Sequence, residues 1–121
     1  GEVTIRCPAA LVATVPGERL LLELERDGTL HRAELSSGRA AGELHGVLRV
    51  PRVERWWPHT HGEPALYAAS LLLQAPGAGE PSRLPLGRIG FRTLALDTRD
   101  GGFSLRVNDV PVFCRGACWM P

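Results

Sequence analysis

The sequence predicts an all-β sandwich of about seven to nine short antiparallel strands. Apolar or alternating runs recur along it, and turn residues separate them about every 8 to 12 positions. The 14 glycines and 10 prolines are spread too widely for long helices. At 121 residues and 44% hydrophobic content, the chain is sized for one compact core rather than two.

Taken in order, Glu2 to Cys7 alternates apolar and polar residues, as a half-buried strand does. Arg19 to Glu25 is a leucine-rich run lying between Pro16-Gly17 and Asp27-Gly28. Asp-Gly tolerates the positive φ of a tight hairpin, so Leu30 to Leu35 is the expected return strand. Leu20 to Arg26 consists of good helix formers, but the run is too short between its two breakers for a stable helix. Leu44 to Val50, Ala65 to Gln74, Leu84 to Leu86 and Phe91 to Leu96 are further strands, and Phe103 to Val107 turns through Asn108-Asp109 into Val110 to Phe113. Residues 36–42 and 75–82 read as loops, the second an exposed hairpin connection. No internal repeat is apparent.

Charge excludes some partners. With 14 basic and 13 acidic residues the net charge is +1, which offers no field for nucleic acid or an anionic membrane surface. Every basic residue is Arg, a compositional bias that does not by itself indicate phosphate recognition. No window approaches the roughly 18 apolar residues of a membrane span, and no signal peptide is recognisable. Cys7, Cys114 and Cys118 are read as buried or partly buried thiols, with a pairing of Cys7 to one of the others left open.

Chemistry is sparse. Glu23 and Glu25, two apart in a strand, share one face, and that face is expected to be solvated. The other acids lie mainly at turns, so no catalytic acid/base pair is expected. His59, His61, Cys114 and Cys118 supply four ligand types by count, but their spacing fits no structural zinc pattern, and neither metal nor cofactor is expected. No local motif supports a Cys/His nucleophile. The densest stretch runs from Arg55 to Tyr67 and holds two of the three tryptophans and the single tyrosine. Trp56, Trp57, His59, His61 and Tyr67 are therefore candidates for a contact with another domain, because Trp and Tyr bury large area while keeping a polar handle. A sugar-stacking platform is the alternative. Adjacent tryptophans in a strand face opposite sides, so one of the two is expected in the core.

Trp56-Trp57-Pro58, Gly62-Glu63-Pro64 with Leu66-Tyr67, Gly90-Phe91-Arg92-Thr93, Phe103, Val107-Asn108, Pro111 and Phe113, then Arg115-Gly116 with Trp119 and Pro121, recur in an order and spacing that resemble the middle of glycoside hydrolase family 2 enzymes, in particular the β-mannosidase-like branch. The match covers Trp56 to Pro121, about half the chain. It implies an immunoglobulin-like β-sandwich set between an N-terminal sugar-binding-like β domain and a (β/α)8 barrel that carries two catalytic glutamates. On that reading residues 1–113 are the sandwich and 114–121 open the first barrel strand. The catalytic acids lie outside this chain, and the fragment alone is inactive. Its partners are the other domains of the same polypeptide, and the complete enzyme takes a carbohydrate substrate as a retaining β-mannosidase-like hydrolase.

By the same resemblance Arg115 and Trp119 are candidate neighbours of the sugar pocket of the complete enzyme, and the alternative for Trp119 is a core aromatic of the first barrel strand. Cys118 stands where the family shows Asn, and Asp109 where it shows Gly. The apolar run from Phe113 to Pro121 also contrasts with an ordinary polar terminus. It predicts that Cys118, Trp119 and Met120 lack packing partners within the sandwich. A free carbohydrate-binding module that uses Trp56, Trp57 or Trp119 is the alternative reading.

Overall fold

A computed structural model of the chain describes residues 1–8, 17–38, 42–77 and 79–117. Ten strands follow in order: β1 (Glu2–Pro8), β2 (Arg19–Arg26), β3 (Thr29–Glu34), β4 (Ser36–Ser37), β5 (Glu43–Arg49), β6 (Tyr67–Gln74), β7 (Ser82–Ile89), β8 (Leu94–Asp97), β9 (Ser104–Val107) and β10 (Val110–Val112). They pair antiparallel into three sheets. The described residues are all-β, as the sequence predicts.

The strands are gathered in two compact units. One contains Gly1–Val53 and Leu66–Ile89, the other Glu54–Ala65 and the chain from Gly90 onward. In the second unit, β8 to β10 form a sheet of their own.

In the first unit, sheet β1-β5-β4 lies over sheet β3-β2-β6-β7. Alternation decides what faces inward. Leu20, Leu22 and Leu24 point to one side of β2 and pair in register with Leu73, Leu71 and Ala69 of β6. On the facing sheet, Val3, Ile5 and Cys7 of β1 oppose Leu48, Gly46 and Leu44 of β5. Cys7, the three β2 leucines, Leu35, Leu48, Val50, Ala69 and Leu71 are buried among them. The chain changes sheets at Leu35, whose N–H still donates to Leu20 O at 2.8 Å. Gly46 makes that corner possible, since a Cβ there would stand 3.0 Å from the Leu35 side chain. Asp27 and Gly28 both have positive φ, 49° and 78°, and close the β2–β3 hairpin as a two-residue turn.

Most boundaries lie near those expected. β7 extends well beyond Leu84 to Leu86, and it is an edge strand with Pro85 at its bulged register against β6. Ser36–Ser37, read as loop, adds a short strand to β5.

Candidate functional site

The residues from Trp56 to Gly62 and from Gly90 to Asn108 meet in the second unit, and backbone hydrogen bonds hold them there. Trp56 N–H donates to Phe91 O at 2.9 Å, beside a parallel bridge between Arg55 and Phe91. Trp57 N–H donates to Glu63 O at 3.0 Å, which folds the chain back after an antiparallel bridge between Trp56 and Pro64. Each indole lies against a glycine. A Cβ on Gly90 would stand 2.9 Å from Trp56 Cβ, and one on Gly62 would stand 3.2 Å from Trp57 Cβ. The Arg92 guanidinium sits 4.5 Å from the centroid of a Trp56 ring, a cation–π geometry.

Asn108 closes the cluster. It opens the turn between β9 and β10 at φ 51°, followed by Asp109 at φ 70°, and asparagine tolerates this left-handed region better than most residues. Its backbone N–H donates to Thr93 O at 2.9 Å. Its side-chain Oδ1 accepts Thr93 N–H, and its Nδ2 donates to Trp56 O, both at 3.0 Å. At 5% exposure Asn108 is buried where the start of β8, the end of β9 and the Trp56 segment meet. The sequence marks Asn108 as a turn residue and gives no sign of that second role.

The five candidate contact residues are not one group. Trp56 and Trp57 are both half-buried, so neither is fully in a core as alternation in a strand requires. The reason is local: the segment is bridged at single residues and is no continuous strand. His59 and His61 are exposed on the turn closed by His61 N–H to Pro58 O at 2.8 Å, and Thr60 Oγ1 lies 2.8 Å from His61 Nδ1. Tyr67 belongs to the first unit, buried at the start of β6 with the Arg26 guanidinium 5.9 Å from its ring centroid. Arg115 is exposed. Cys118, Trp119 and Met120 lie outside the described residues, as does the expectation about their packing.

Two other expectations need correction. Glu23 is not on a solvated face: it is 1% exposed. It occupies the second strand of a four-stranded sheet, where register sets Arg32 of β3 and Ser70 of β6 on either side. Arg32 Nε donates to Glu23 Oε2 at 2.6 Å, and Arg83 Nη1 of β7 forms an ion pair with Oε1 at 2.5 Å. Burial alone pushes this carboxyl's pKa up, but the two guanidinium groups outweigh it and hold the value below the ordinary carboxylate range. Cys7 and Cys114 are free thiols, and Cys114 is exposed rather than buried. The Cys7 thiol is pushed up by burial and by Glu43, which disfavours the reactive thiolate.

No family model matches the chain, and no solved structure does. Relatives are found among fungal enzymes. The chain is similar to a short stretch of β-mannosidase B. The Aspergillus flavus protein is 40% identical over 76 residues, 60% of this chain and 9% of its own length. That of Aspergillus niger is 32% identical over 104 residues, 77% of this chain and 12% of its own length. That of Neosartorya fischeri is 36% identical over 84 residues, 66% of this chain and 10% of its own length. The chain thus spans about a tenth of the β-mannosidases it matches. Beside that similarity, a salt-bridged Glu23 is in the wrong state for glycoside chemistry's general acid, which needs a raised pKa and a proton to give.

Proposed function

We propose that this chain is a non-catalytic immunoglobulin-like domain of a glycoside hydrolase family 2 enzyme of the β-mannosidase-like kind. It acts as a spacer and packing surface between a sugar-binding-like β domain and a catalytic barrel in the same polypeptide. The complete enzyme hydrolyses β-mannosides or related O-glycosides by a retaining mechanism. One observation carries the reading: an all-β chain is similar to about a tenth of β-mannosidase B. The bound state of Glu23 supports it, because the most buried carboxylate among the described residues is committed to two arginines. The occupied face of Trp56 also supports a spacer over a free sugar-binding module, since Arg92 already lies where a pyranose ring would stack.

The test compares the 121-residue chain with the longer polypeptide that contains it, using an aryl β-mannoside. Turnover is expected only from the longer protein. Hydrolysis by the short chain, or none by the long one, overturns the proposal. Titration of the short chain with mannosides should leave tryptophan fluorescence without a saturable change.

A further inference from the structure

In the sheet β10-β9-β8, register brings Leu94, Val107 and Val110 into one row and Leu96, Leu105 and Val112 into the next. All six point to the same side, because each row is two residues from its neighbour along every strand. The opposite side carries Ala95, Asp97, Ser104, Arg106 and Pro111. The sheet is thus one-sided, with an apolar face built from three strands. Val107 at its centre is buried, yet Leu94 and Leu96 are 58% and 54% exposed, and the adjoining Phe103 is 78% exposed. A three-stranded sheet gains its stability from the covering of such a face, and contiguous exposed apolar surface of this kind marks an interaction site.

We infer that the apolar face of β8 to β10 is a docking surface for a further domain of the same polypeptide, presenting an apolar surface of its own. The inference rests on the reading of the chain as part of a longer enzyme. Relatives about ten times longer than the shared stretch supply the polypeptide that such a face needs. The face is favoured over the sheet edge as the point of attachment. β10 is an edge strand with Pro111 at its middle, and proline lacks the N–H that an added strand would use. The inference also moves the contact away from the exposed His59 and His61, which the sequence singles out, to side chains that it reads only as members of strands.

The test is the Leu94→Thr, Leu96→Thr double variant, made both in the 121-residue chain and in the longer polypeptide that contains it. Threonine keeps the strand propensity and removes the apolar surface. In the short chain, where both side chains are already exposed, the melting temperature is expected to stay within about 1 °C. In the long one, the transition that includes this unit is expected to fall by about 5 °C or more and to separate from the rest. An unchanged long polypeptide overturns the inference, and so does equal destabilisation of both. A short chain that sediments as a dimer, and becomes monomeric in the variant, assigns the face to a second copy and also overturns it. Activity on the β-mannoside is read separately: an inactive long polypeptide whose transition still separates sinks the enzyme reading alone.

Discussion

At the scale of the residue, Asn108 holds more of the second unit than its size suggests. One amide satisfies a part-buried N–H on Thr93 and a carbonyl on Trp56 while its own backbone occupies the left-handed region. In Asn108→Ala both partners lose their bonds, and alanine pays for the positive φ. The expected loss is about 1–3 kcal/mol, from about 0.5–1.5 for each of the two lost part-buried bonds. Urea unfolding followed by tryptophan fluorescence measures it, and a loss under about 1 kcal/mol would mean that water replaces the amide. The sequence made half of this legible. Asn-Asp between two apolar runs announces a turn by its own chemistry, whereas the bonds to residues 93 and 56 depend on chain far away in sequence. The same distance explains Glu23. Its leucine-rich strand is plain, but the arginines that hold it come from β3 and β7, and local alternation cannot tell a solvated carboxylate from one clamped between guanidinium groups.

Between elements, that clamp joins β2 to β3 on one side and to β7 across β6 on the other. Its three charges are unequally placed, with the carboxylate buried and both arginines about half exposed. Removal of Glu23 frees two groups that reach water, whereas removal of the arginines strands a buried charge. The Arg32→Ala, Arg83→Ala double variant should therefore cost about 3–5 kcal/mol, the range for breaking a buried pair, and Glu23→Gln clearly less. The reverse order in chemical denaturation would refute the clamp. Acid provides a second check. The folded pKa of Glu23 lies below its unfolded value, so its contribution is present above about pH 4.3 and is lost as pH falls through the folded value. Wild-type stability should fall more steeply than that of Glu23→Gln between about pH 5 and pH 3. Glu34 beside Arg19 and Asp97 beside Arg99 are also lowered, but both are present in the two proteins and cancel in the difference.

For the whole molecule, the decisive fact is that neither unit is a continuous stretch of chain. The seven described strands of the first unit lie within residues 1–89, while the second unit draws on residues 54–65 and on the chain from 90 onward. A chain ended at Ile89 should keep the sandwich and lose the partners that Trp56 finds at Gly90, Phe91, Arg92 and Asn108, while Trp57 keeps Gly62 and Glu63. Its far-ultraviolet circular dichroism is expected to retain the β signal, with tryptophan emission shifted toward that of exposed indole. A fragment that is unfolded by circular dichroism would show that the sandwich does not stand without the second unit. The strand pattern made the all-β class readable, but the division into two units was not. It arises from which distant strands pair, and the runs themselves carry no mark of it. The interleaving also sets a timetable for synthesis. At ~5–20 residues per second, roughly one to five seconds separate the emergence of Ala65 from that of Gly90. Throughout that interval Trp57 has already met Glu63, whereas Trp56 is off the ribosome before Phe91 and Asn108 emerge, so its N–H and C=O wait for partners that arrive only with the last strands.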